Sequence, residues 1–175
     1  MKKLTLIILA LALLIPSFCW SAAPAVVSQT TSSIPEAGIR QVIFTCTGAA
    51  ADGSIPNTAT NSSVTAFIKG YQLIRVDAYP TAGGTAPDEA DVFLLDANGQ
   101  DLLGCIDGST TPYAGAKLIH ATLPKAALPD IYVLGKTTHY NYEPFVTGAL
   151  TLKVINQATA SANYKVVLTF RKAVK

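Results

Sequence analysis

The sequence is poor in charge. Only 14% of its 175 residues are Asp, Glu, Lys or Arg, where an average soluble domain carries about a quarter. It also holds just two histidines, three cysteines, one methionine and one tryptophan. No apolar run approaches the about 20 residues that a membrane-spanning helix requires. Each scarcity removes a class of function. A chain with so little excess charge has no general electrostatic claim on nucleic acid or on an anionic membrane. Two histidines, neither near another histidine or a cysteine at ligand spacing, make a poor zinc centre. No GxxxxGK[ST] loop is present to cradle phosphates, so Asp88-Glu89-Ala90-Asp91 matches a helicase tetrapeptide by accident. No GxSxG elbow marks a hydrolase nucleophile. What is abundant is apolar: half the residues are hydrophobic, too many for a disordered chain, so a packed core is expected. At this length the core is that of one domain.

The first residues read as an export signal. Met1-Lys2-Lys3 is a short basic start, Leu4 to Ile15 is apolar apart from Thr5, and Pro16 ends the run before the small residues Ser21, Ala22 and Ala23. This is the order of a cleavable secretory signal peptide, over residues 1–21. Cys19 and Ser21 supply the small residues at −3 and −1, so the mature chain is expected to start near Ala22. Removal of Lys2 and Lys3 leaves 11 of the 13 basic residues against 11 acidic ones, a formally neutral protein. An exported location follows as the expectation: periplasmic, extracellular, or on a surface or virion, with no stable membrane insertion after cleavage. Cys19 leaves with the signal. Cys46 and Cys105 remain as an even pair in an oxidising compartment. A bridge between them closes a loop whose entropy is worth about 4 kcal/mol; the alternative is two buried thiols acting as small hydrophobes.

Residues 22–37 are rich in Ala, Ser, Thr and Pro and read as a flexible leader or a peripheral strand. The domain proper is expected over residues 38–175. Its first strand spans about Ile39 to Thr47, with Val42, Phe44 and Cys46 on one face and Gln41, Ile43 and Thr45 on the other. Gly48 to Ser63 reads as a long loop. Val64 to Tyr79 reads as strand, interrupted at Gly70 by a bulge or bend. Ala90 to Asp96 is a short apolar strand, joined through Asn98-Gly99 to Leu102-Leu103, a hairpin signal. Further strands are expected at about Ala116 to Leu123 and Ile131 to Leu134. A closing pair follows, Ala149 to Ile155 and Tyr164 to Phe170, joined by a polar turn. No segment carries a convincing three-turn helix. Many short strands with frequent turns predict an all-β fold, a single antiparallel β-sandwich of immunoglobulin-like or jelly-roll-like type.

Few residues are candidates for chemistry. His120 lies in the apolar stretch Leu118-Ile119-His120-Ala121 and reads as a structural histidine. Asp96-Ala97-Asn98-Gly99-Gln100-Asp101 spaces side-chain oxygens as a calcium loop does, yet lacks a proper twelfth-position acid. It reads as a β-turn in preference to a calcium site. Tyr132, His139, Tyr140 and Tyr142 lie in the densest aromatic stretch, with Phe145 close by. They are the candidate contact residues for a glycan or peptide. No catalytic, cofactor-binding or metal-binding residue is assigned, and no cofactor is expected.

Several phrases occur in an order that resembles a group of small β-sandwich proteins encoded by tailed phages and prophages. They are Asp52-Gly53-Ser54-Ile55-Pro56, Gly83-Gly84-Thr85-Ala86-Pro87, Asp91-Val92, the stretch from Asp96 to Gly104 that reads DANGQDLLG, and Thr147-Gly148-Ala149-Leu150-Thr151. The likeness extends from Ile39 to Phe170; the signal segment is an addition to it. The resemblance implies a virion-associated or structural protein without catalytic residues, working through protein partners or self-assembly. The expected function is therefore a non-enzymatic structural or interaction component of a virion or cell-surface assembly. The alternative is a secreted module that binds a glycan or peptide.

Overall fold

A computed structural model of the chain describes residues 23–88, 90–103, 116–119, 125–127, 130–132, 139–141 and 143–173. The signal-like segment, His120, Cys105 and Tyr142 lie outside them. The described chain is an all-β fold of antiparallel ladders. The strands in order are β1 (Val26–Ile34), β2 (Ile39–Thr47), β3 (Thr58–Ala59), β4 (Tyr71–Pro80), β5 (Ala90–Leu95), β6 (Ala116–Ile119), β7 (Lys125–Ala127), β8 (Asp130–Tyr132), β9 (His139–Asn141), β10 (Thr151–Ile155) and β11 (Asn163–Lys172). One helix, α1 (Ser62–Ile68), lies between β3 and β4. A five-stranded sheet runs β1-β2-β11-β4-β7, a four-stranded sheet runs β3-β10-β5-β6, and β8 and β9 pair with each other.

Period-two patterning builds the larger sheet. Val42, Phe44 and Cys46 of β2 are fully buried, as are Tyr164, Val166, Leu168 and Phe170 of the adjacent β11. On β4 the alternation is interrupted. Thr169 pairs with Arg75 but Phe170 pairs with Leu73, so Ile74 is an extra residue in a bulge. That insertion lets Leu73 and Val76, three positions apart, both face inward. The smaller sheet contributes Val92, Leu94, Leu152 and Val154, and all of these join one core with Val64 and Ile68 of α1. Removing a side chain of this kind from water is worth about 1.5–3 kcal/mol, so the interior of the two sheets is the main source of stability.

Three expectations need correction. The stretch from Val64 to Tyr79 is not strand throughout, because its first part is α1. Asn61 caps the helix by accepting a hydrogen bond from the Val64 amide at 2.9 Å, and Val64 and Ile68, four residues apart, share the buried face. β-branched residues gave the segment a strand-like composition, but the cap and the i, i+4 spacing win. Helix and strand meet at Gly70, a bend and not the bulge. The closing strands also fail to pair with each other. β10 belongs to the four-stranded sheet and β11 to the five-stranded one, so the polar turn between them is an arch from sheet to sheet. The segment read as one loop from Gly48 to Ser63 contains β3 and the start of α1.

The loops that carry Gly53 and Thr85 converge on that arch. The Gln157 side-chain amide is buried and donates to the Gly53 carbonyl at 2.7 Å and to the Thr159 carbonyl at 3.0 Å. Asp88 accepts from the Ala158 amide, and the Asn163 amide donates to Thr85 at 2.8 Å. Gly53 is required here: its φ is +74°, and an added Cβ would lie 2.5 Å from the Thr159 carbonyl oxygen. Asp52 holds the same turn through the Ser54 amide and hydroxyl, which lower its pKa.

Two buried side-chain oxygens, those of Thr81 and Tyr164, are left over among the described residues. The Tyr164 hydroxyl has no hydrogen-bond partner among the described residues, and burial raises its pKa. Leaving such a group unpaired costs about 1–3 kcal/mol. The variant Tyr164→Phe is therefore expected to be more stable than the parent by about 1 kcal/mol in urea denaturation. An equal or lower midpoint would show that the hydroxyl is satisfied.

Candidate functional site

Two surface features stand out. The first is a cleft of about 250 Å³ between the β5 turn and the segment before β10, lined by residues that include Asp96, Asp101, Leu102, Phe145, Thr147 and Leu150. The turn is a hairpin, as the Asn-Gly pair predicted. Gly99 alone of the two is left-handed, at φ +81°. Its amide donates to the Asp96 carbonyl at 3.0 Å, and the Asp96 amide donates to Gln100 at 2.9 Å. This is the three-residue hairpin loop with its glycine at the bulge position.

The acids of the turn are occupied by the protein's own amides. One Asp96 carboxylate oxygen accepts from the Asn98 amide at 2.8 Å and the Gln100 amide at 2.9 Å. Asp101 accepts from Leu94 at 3.0 Å and Leu103 at 3.1 Å. These contacts give Asp96 and Asp101 a turn-forming role. No group of three or more metal-ligating side chains occurs among the described residues. Opposite the turn, Pro144 to Val146 run along the end of β4: Leu73 donates to Pro144 at 3.0 Å and Val146 to Tyr71 at 2.9 Å. This tether holds Phe145 at the cleft with 53% of its surface exposed.

The second feature is β1. It is the outermost strand of the five-stranded sheet, in continuous register with β2 from Val26 opposite Thr47 to Ile34 opposite Ile39. Beyond Gln29 every residue of the strand is exposed. Val26 is 56% and Ile34 53% exposed. The nine residues contain no charge and no proline. Gln29 fastens the strand from within, donating to the Ala59 carbonyl at 2.7 Å and accepting from the Asn61 amide at 3.0 Å. Nearby, the Arg40 guanidinium lies 4.0 Å from the Tyr71 ring centre and 4.5 Å from that of Phe67, and donates to the Phe67 carbonyl. The cation stacks on two rings and meets the carbonyl end of α1, so its charge is used internally.

The other candidate residues are placed as follows. Tyr132 pairs with His139 and Ile131 with Tyr140 across the β8–β9 ladder, which brings three of the four aromatic-stretch residues into one short hairpin; Tyr142 lies outside the described residues. Among the described residues Cys46 has no disulfide partner; it is buried, and burial pushes its thiol pKa up to about 12. Cys105, its expected partner, is outside the described residues. Among the described residues no helix is long and apolar enough to cross a membrane. No family model matches the chain, and neither does any curated protein or solved structure.

Sequence reasoning placed the hairpin turn but not the cleft, because Phe145 is brought opposite the turn by its tether to β4. It named residues 22–37 as a flexible leader or a peripheral strand.

Burial raises the pKa of Asp101, against the lowering effect of the Leu103 and Leu94 amides. A carboxyl whose folded pKa lies above its unfolded value favours folding most when protonated, and that contribution is lost as pH rises from the unfolded to the folded value. Asp101→Asn keeps the accepting oxygen without the charge. The parent is thus expected to lose melting temperature relative to Asp101→Asn as pH rises through the carboxylate range. Parallel pH profiles would show that the cleft does not desolvate this group.

Proposed function

We propose that the protein is a non-enzymatic structural or interaction component, exported from the cell, which contributes a single antiparallel β-sandwich to a virion or cell-surface assembly. The observation that carries this reading is β1. Soluble proteins guard exposed sheet edges with lysine, proline, bulges or very short strands. β1 is nine residues long, uncharged, and in unbroken register with β2. An edge of this kind is suited to strand addition, in which main-chain hydrogen bonds supply affinity and alternate side chains supply specificity. The virion setting comes from the ordered loop phrases that resemble small phage and prophage proteins, and the exported state from the signal-like N-terminus.

Sedimentation of native culture fractions tests the reading, with intact mass defining the chain that is present. The expected result is co-sedimentation with particles or envelope, at the mass of a chain beginning near Ala22. A freely soluble monomer that associates with nothing would overturn it.

The cleft favours a second reading, a secreted module that binds a glycan or peptide. Its exposed Phe145 beside polar turn residues is the kind of surface on which a sugar ring or an apolar peptide side chain packs. On a glycan and peptide array this reading expects a binder whose signal falls about tenfold in Phe145→Ala, the effect of losing one buried aromatic contact. An empty array, or binding indifferent to that substitution, would exclude it.

A further inference from the structure

The edge strand is self-complementary, which identifies its partner. We propose that two copies of this chain pair antiparallel through Val26–Ile34, about a two-fold axis at Thr30, so that two five-stranded sheets become one continuous sheet. The inference rests on the assembly reading above and names the partner in it.

The register follows from the geometry of a pleated sheet. If two identical sheets are to join with the same face outward, residues directly opposite each other must point to the same side. The two-fold axis must then pass through a residue, since an axis between residues would set outward side chains against inward ones. Gln29, Thr30 and Thr31 are the central choices. An axis at Gln29 sets Val26 against Ser32 and Ile34 against Pro24. An axis at Thr31 sets Ile34 against Ser28 and Val26 against Glu36. Only Thr30 sets Val26 against Ile34, which are two of the large hydrophobic side chains most exposed among the described residues, at 56% and 53%. The same axis sets Ser28 against Ser32 and Thr30 against its own copy. The outward face of β1 therefore reads apolar, Ser, Thr, Ser, apolar in either direction.

The surroundings agree with this pairing. Ile39 lies opposite Ile34 on β2, so at each end Val26 of one copy would join an Ile34–Ile39 pair of the other. On β2 the positions opposite the outward residues of β1 are Ile39, Gln41, Ile43, Thr45 and Thr47. Four adjacent strands across the axis would thus present no charge on that face, and no like-charge repulsion opposes the approach. Pro24 and Pro35 flank the strand, and proline, which has no amide hydrogen, ends a ladder. The pairable length is therefore the nine residues of β1. Pairing also gives partners to the alternate amides and carbonyls of β1 that point away from β2.

The test uses the protein purified from cells that express the full chain. Light scattering is expected to give twice the intact mass for the parent. Thr30→Lys, which opposes two ammonium groups across the axis, is expected to give once that mass, with unchanged circular dichroism. Thr30→Cys is expected to form an inter-chain disulfide on mild oxidation, since directly opposed Cβ atoms lie about 4.5–5.5 Å apart. Ser28→Cys alone should not cross-link, whereas a mixture of Ser28→Cys and Ser32→Cys should. The parent, whose Cys46 is buried, is the control. A monomeric parent, a dimer that survives Thr30→Lys, or an uncrosslinked Thr30→Cys would each overturn self-pairing. A monomer that still co-sediments with particles would overturn self-pairing but leave the assembly reading standing. A monomer that does not would remove both.

Discussion

The structure depends on the burial of β11. It lies between β2 and β4 along its whole length, and its partners on each side supply the other walls of the same interior. Tyr164, Val166, Leu168 and Phe170 face that interior with no exposed surface, and Val167 on the opposite face is buried as well. Such a strand loses its amide and carbonyl groups to neighbours on both edges and its side chains to the core, so it can exist only once β2 and β4 are in place. The bulge at Ile74 is a consequence. Strict alternation of β4 against β11 cannot bury both Leu73 and Val76, so the strand inserts one residue and continues in a new phase.

The same constraint explains the loops. β10 and β11 are neighbours in sequence but lie in different sheets, and the chain between them must arch across one end of the fold. The backbone groups of that arch would be costly to leave unpaired. Gln157, Asp88 and the Thr85 carbonyl satisfy them, and the Gly53 carbonyl anchors the Gln157 side chain, which makes the loops after β2 and β4 part of one polar knot. The glycine at position 53 is there because the Thr159 carbonyl approaches its Cα too closely for a side chain. The turn stretches Asp52–Pro56 and Gly83–Pro87 are, in this fold, engaged in holding the chain to itself.

Edges divide the molecule into guarded and unguarded sides. The outer side of β4 is met by β7 at one end and by the segment around Phe145 at the other. β3 is only two residues long. β1 differs from both, being long, regular and uncharged, with β2 as its partner on one side. A fold that covers one flank with short pieces and leaves a nine-residue strand on the other has an asymmetry that stability alone does not demand. Proposing β1 as a contact edge gives that asymmetry a function.

The sequence by itself determined the all-β character, because alternation over Ile39 to Thr47 and over Tyr164 to Phe170 can bury one face only as strand. It also determined the Asn98-Gly99 hairpin, whose chemistry is local. α1 was legible in principle, since Asn61 before Val64 and Ile68 is a cap followed by an i, i+4 pair, but its β-branched content argued the other way until packing decided. Tertiary structure alone decided which strands share a sheet, that β10 and β11 part company, and that Phe145 stands opposite the β5 turn. The physical reason is range. Alternation and turn residues act over a few positions, whereas strand partnership is set by which apolar faces close one common core, and that depends on residues more than a hundred positions apart, such as Val42 and Leu168.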